Sequence, residues 1–207
     1  MSITSTRRPS GRRNLAGTVA AGAMTIALTL SGAGVANAAT VVSGAQTGEW
    51  DMIAVDNSPL EVVNYDHSVD AYRDVDAPAG WFAVGSGKVI DGDDATSATP
   101  VGGGGIRIDA GFASPTVNRT YTFQLTGIPA GTSVKVTDPT NPAVVYINTA
   151  AGDFTHTLTL PAGATTDLHE HFTWTFTSSA AQAQIGVRVT GAGLGAAGRT
   201  NSILFKF

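Results

Sequence analysis

The feature that most constrains this chain is a two-residue alternation of apolar and threonine-rich positions, recurring through the residues after 40. In RTYTFQLTGI, Tyr121, Phe123 and Leu125 alternate with Thr120, Thr122 and Gln124. FTHTLTL alternates Phe154, His156, Leu158 and Leu160 with threonines, QIGVRVT sets Ile185, Val187 and Val189 on one face, and SILFKF does the same with Ile203, Phe205 and Phe207. A period of two sends successive side chains to opposite faces of a strand. Threonine, with its branched Cβ, suits the pleated face that also meets water. The turn clusters GIPAGTS, DPTNPA, LPAGATTD and GAGLGAAGRTN separate these runs, and no stretch after residue 40 has a helical period. The pattern predicts an all-β fold, an antiparallel β-sandwich of immunoglobulin-like kind. GSGKVIDGDDATSATPVGGGG, residues 85–105, breaks the rhythm with four consecutive glycines and few apolar residues. It predicts a long Gly-rich surface loop. The DGDD within it lacks the remaining positions of an EF-hand and reads as a solvated turn.

The first 38 residues have a different character. Arg7, Arg8, Arg12 and Arg13 precede a mildly apolar run that ends in Ala36-Asn37-Ala38, with no acidic residue throughout. Basic region, apolar region and A-x-A site, in that order, predict a secretory signal peptide over 1–38. The run is too diluted with Gly, Ser and Thr for a membrane anchor. Its paired arginines are compatible with the twin-arginine route as well as the general one. The mature domain would then be 39–207, a single β-sandwich with no transmembrane anchor, secreted or held at the cell surface. Loss of four arginines takes the formal charge from −4 to −8. So acidic a product, with its few cations scattered, is no nucleic-acid binder. The chain has no cysteine, which excludes disulfides, thiolate metal sites and cysteine nucleophiles. Any metal must be held by His, Asp, Glu or backbone oxygen.

DLHEHFTWTFT, residues 167–177, carries two of the four histidines. As a single strand it places Leu168, Glu170, Phe172, Trp174 and Phe176 on one face, and His169, His171 and three threonines on the other. The aromatics are a core stripe. Imidazoles at i and i+2 lie roughly 6–7 Å apart along a strand, close enough to converge on one ion. Further ligands must come from elsewhere in the fold. Glu49 and Asp51 of GEWDMIAV, themselves spaced i and i+2, are the candidates. With nitrogen and oxygen ligands, the expected cofactor is zinc or another divalent metal. Asp167 lies near in sequence, whereas Glu170 falls on the opposite face. His156 reads as a hydrogen-bonded core histidine, and His67, in the acidic segment NYDHSVD, is ambiguous between ligand and surface residue.

GEWD at residues 48–51, WFAVG at 81–85 and then His169, His171, Trp174, Phe176 and Thr177 follow one another in an order that resembles the actinobacterial surface-anchored protein domain of the choice-of-anchor M type. That family has a GHxD-like opening, a Trp-containing middle and an HxHxxWxFT strand. The likeness spans most of residues 41–190. It departs at the opening, where Glu49 replaces a histidine, and after the last strand, where a glycine–tyrosine signature is missing. The resemblance implies an exported, non-enzymatic component accessory to a metal-ion ABC transport system, with a surface or transporter-associated protein as partner. The competing expectation is an adhesion or glycan- or protein-binding module without metal, using Trp50, Trp81, Tyr65 and Tyr72 as an aromatic platform. No GxSxG or HExxH motif is present, and the chain is not expected to be an enzyme.

Overall fold

The computed structural model describes residues 39–57, 60–85, 87–92 and 101–207. The expected signal peptide and the second half of DGDD, residues 93–94, lie outside the described residues. The strands run β1 Thr40–Gln46, β2 Gly48–Asn57, β3 Leu60–Asp66, β4 Ala71–Ala83, β5 Val89–Ile90, β6 Val101–Ile108 and β7 Arg119–Thr126. They continue with β8 Thr132–Thr137, β9 Val145–Asn148, β10 Thr155–Leu160, β11 Leu168–Glu170, β12 Thr173–Ser178, β13 Gln182–Gly191 and β14 Arg199–Lys206. The only helices among the described residues are single 3-10 turns at Ala110–Phe112 and Thr149–Ala151.

One large sheet has the order β10-β7-β13-β14-β4-β3-β2-β6-β11, with β1 also paired to β4; a smaller one has the order β5-β12-β8-β9. The small sheet is antiparallel. The large one is mixed, because β1 with β4, β4 with β14 and β2 with β6 run parallel. This corrects the expectation of purely antiparallel pairing. Both sheets contribute to one hydrophobic cluster, in which Phe82 meets Phe205 and Phe205 meets Phe176. The two-residue periodicity identified this core well. Tyr121, Phe123, Leu125, Ile185, Val187, Val189, Ile203 and Phe205 are all buried, whereas Phe154 is exposed.

Two segments depart from the sequence reading, and both border the polar pocket of His171. The four glycines are not in a loop: Gly102–Gly105 lie within β6, between β2 and β11 in the large sheet, and are buried. A Cβ on Gly104 would come 2.5 Å from the Phe172 carbonyl oxygen and 2.8 Å from Trp174 Cδ1, and φ there is +50°. A side chain at Gly104 is therefore excluded by close backbone approach, and Gly103 and Gly104 both adopt the left-handed conformation that favours glycine. DLHEHFTWTFT, in turn, is two strands rather than one. β11 pairs with β6 in the large sheet, β12 pairs with β5 and β8 in the small one, and the chain crosses between sheets at His171–Phe172. Burial of Phe172, Trp174 and Phe176 drives the crossing, and the Trp174 indole N–H donates to the Gly104 carbonyl at 2.6 Å. Glu170, before the crossing, is exposed and not part of the core stripe.

His156 is packed between the rings of Tyr146 and Phe172, at centroid distances of 4.7 and 5.3 Å. Its buried Nε2 has no hydrogen-bond partner, so the expected core hydrogen bond is not made at that atom. Burial lowers its pKa below the ordinary imidazole value. Protons bound by the unfolded chain near pH 6.5 are thus refused by the folded one, and stability falls as pH drops below about 6.5. His156→Phe, which keeps an aromatic ring in place, is expected to lose less stability than the parent between pH 7.5 and pH 5.5 in urea denaturation. An unchanged loss would contradict this packing account.

Candidate metal centre

The site forms where the β2–β3 pair meets the end of β11. β2 is bulged: its register against β6 shifts between Glu49 and Asp51 and again between Asp51 and Ile53, and against β3 between Asp51 and Ala54. Bulges re-aim a side chain locally. Here the shift accompanies unbroken burial from Trp50 to Asp56, with Asp51 fully buried. Across the pair, Trp50 lies opposite Asp66, and the His67 N–H donates to the Glu49 carbonyl at 3.3 Å. His67 is thereby held beside both acids. His171 arrives from the other side as the chain leaves β11 for the small sheet.

The ring of His67 presents Nδ1 to Glu49 Oε1 at 3.8 Å and Nε2 to Asp51 Oδ2 at 3.2 Å. His171 Nε2 lies 3.5 Å from Glu49 Oε1 and 3.9 Å from Asp51 Oδ1. Glu49, His67 and His171 each offer a ligand atom within 4.8 Å of the others. Ligand bonds of roughly 2.1 Å at a tetrahedral zinc place donor atoms about 3.4 Å apart, close to the 3.5 Å between His171 Nε2 and Glu49 Oε1, whereas His67 meets Glu49 and Asp51 through different nitrogens, only one of which can face a given ion. Asp51 Oδ1, His67 Nε2 and His171 Nε2 are buried yet have no hydrogen-bond partner. Buried polar atoms are ordinarily satisfied. Three unsatisfied ones facing each other fit a cation bound among them.

Of the four ligands expected from sequence, Glu49, Asp51 and His171 come together. His169 stands at the rim: it is exposed, opposite Arg107 in the β11–β6 register, with its ring 5.4 Å from that of His171 and 5.8 Å from that of His67. The residue that sequence reasoning left ambiguous, His67, lies between Glu49 and Asp51. The signal that finds it is the antiparallel pairing of consecutive strands, which puts the residue after Asp66 beside Glu49.

A layer of polar groups holds these side chains. Arg107 reaches Asp51 Oδ2 at 3.4 Å and Asp167 Oδ2 at 2.8 Å, and its guanidinium lies 3.7 Å from the centroid of the Tyr65 ring. Asp167 therefore supports Arg107 rather than joining the ligands, and it also accepts from the Ala110 N–H and the Tyr72 hydroxyl. Burial by itself would raise the Asp167 carboxyl, but the Ala110 N–H, Arg107 and Tyr72 together lower it below the usual carboxylate value. Tyr65, whose hydroxyl donates to Asp70, is pushed up to about 12 by burial and that carboxylate. Contact with the Asp51 carboxylate raises His67 above the ordinary imidazole value against the effect of burial. Partial desolvation lowers His169, with Arg107 and the neighbouring imidazoles adding to the effect. The aromatic platform expected for a glycan does not form, because Trp50 and Tyr65 are buried and Trp81 is covered by the Lys206 ammonium, 3.4 Å from its ring centroid.

The glycines of β6 make room for the site. A Cβ on Gly105 would fall 1.8 Å from Asp51 Oδ1 and 3.1 Å from His171 Cδ2, and one on Gly103 would fall 2.8 Å from Glu49 Cγ. Gly105→Ala is expected to destabilise the fold by about 1–3 kcal/mol through overpacking at Asp51. Gly87→Ala, where the nearest atom is 3.9 Å away, is the control and should stay within about 0.5 kcal/mol. Chemical denaturation of the two variants checks this; equal effects would contradict the role given to Gly105.

Searches against family models, curated proteins and solved structures found no match to this chain.

Proposed function

We propose that this protein is an exported, non-enzymatic extracellular β-sandwich that binds one divalent cation, zinc by preference, through Glu49, Asp51, His67 and His171. The observation that carries the reading is the convergence of Asp51 Oδ1, His67 Nε2 and His171 Nε2, buried atoms that stand in carboxylate–imidazole contact but make no hydrogen bond, with the Glu49 carboxylate beside them. Two imidazoles and two carboxylates form a donor set suited to zinc, and too rich in nitrogen for calcium or magnesium. Four protein ligands also leave less room for an activated water than the three-ligand sites of zinc hydrolases, which favours binding over catalysis. His169, at the rim, is the first imidazole an arriving cation would meet.

Export rests on the order of basic region, apolar region and A-x-A site. Among the described residues no helix is long and apolar enough to cross a membrane. The packing of two sheets around one core supports the sandwich reading. Its parallel pairs make the wiring a departure from the purely antiparallel immunoglobulin pattern. A role beside a metal-ion ABC transport system, with a surface or transporter-associated partner, is proposed on the resemblance of the HEHFTWTFT segment alone.

Metal analysis of the purified protein after equilibration with zinc and desalting tests the central reading. The expected content is about one zinc per chain, falling below about one tenth in a His67→Ala, His171→Ala double variant. His169→Ala should retain the metal with affinity reduced by no more than about 10-fold, the smaller effect of a group outside the ligand set. Equally low content in parent and double variant would overturn the proposal.

A further inference from the structure

The face of β2 and β3 turned away from the main core has its own small cluster. Ala54, Val63 and Tyr65 are buried there, and Ala39 and Tyr72 pack against them. On the same pair of strands Asp56 lies directly opposite Glu61. Directly opposed residues share a face, and like charges so placed repel. The backbone nitrogen of Ala39 stands at this point, 3.0 Å from Glu61 Oε1. Ala39 immediately precedes β1, which pairs with β4 alone and is largely exposed, so this contact is what ties the start of the strand to β3 by a hydrogen bond.

Ala39 is also the residue that follows Ala36-Asn37-Ala38. In the uncut chain its nitrogen is an amide with one proton to donate. Hydrolysis of the Ala38–Ala39 bond by an export-associated peptidase consumes one water. Its hydroxyl goes to the Ala38 carbonyl, which leaves as a carboxylate, and the released nitrogen is protonated to an α-ammonium. Such groups titrate near 7.7–8.0, so the terminus is largely cationic at neutral pH.

We propose that leader removal after Ala38 completes a clasp in which the new α-ammonium of Ala39 pairs with the Glu61 carboxylate and fastens β1 to β3. Glu61 is thus the receptor for the processed terminus, and a hydrogen bond charged only on the acceptor side in the precursor becomes an ion pair in the product. This inference rests on the export reading and does not depend on the metal.

The test begins with the full chain expressed with export, and with mass spectrometry of the released protein. A first residue of Ala39 is expected; a product that starts elsewhere or retains its leader overturns the export reading and the clasp with it. Thermal unfolding is then measured for the processed protein and for its Nα-acetylated form, each with Glu61 and with Glu61→Gln. Acetylation should lower the midpoint of the Glu61 protein by about 2–4 °C and that of the Glu61→Gln protein by much less. Equal shifts in the two backgrounds, with Ala39 confirmed as the first residue, would overturn the clasp and leave export standing.

Discussion

The carboxylate of Asp51, fully removed from solvent, is the constraint around which this structure is arranged. An ionised carboxylate in a protein interior is tolerated only when charge and hydrogen bonds compensate it. Here Arg107 approaches one oxygen, and His67 and His171 crowd the group from other directions. Arg107 is in turn fixed by Asp167 and by the Tyr65 ring, and Asp167 by Ala110 and Tyr72. The bulge in β2 and the bare backbone of β6 leave room for this group, and the crossing after β11 brings His171 beside it. Yet Asp51 Oδ1 is left without a hydrogen-bond donor. That is the compensation which the cation of the proposed site would supply.

This arrangement explains why the glycine run is where it is. β6 lies between β2 and β11, the two strands that carry Glu49, Asp51 and His169 and lead into His171. Any side chain on Gly103 or Gly105 would stand in the space taken by Glu49, Asp51 or His171. Gly104 serves the other side, where its carbonyl accepts from Trp174 and its bare Cα lets Phe172 pass. The same short strand therefore joins the core stripe of the second sheet to the polar site at the edge of the first.

Much of the fold was legible because burial imposes a period of two wherever one face of a strand meets the core. β7 and β13 follow that rule, whereas β14 departs from it at Leu204, buried between Ile203 and Phe205. It fails for β6, whose glycines carry no hydropathy signal, since their burial comes from backbone packing rather than from side chains. It fails also at His171–Phe172, where a continuous alternation hides a change of sheet. Parallel pairing of β2 with β6 was invisible for a related reason, because period alone does not fix strand direction. At the candidate site, the i, i+2 spacing singled out Glu49, Asp51 and His171, which the fold brings together. His67 carried no local pattern and is defined only by the register of β2 against β3. His169 shares the motif with His171 but lies on the exposed side of the crossing, which separates two residues that sequence treated as equivalent.

Anomalous X-ray diffraction from crystals grown with zinc, with data collected on both sides of the zinc absorption edge, addresses the central claim most directly. The account predicts one strong edge-dependent peak bounded by Glu49, Asp51, His67 and His171, within about 2.0–2.2 Å of their ligand atoms. No peak there, or a peak bound only by the exposed His169, would contradict it.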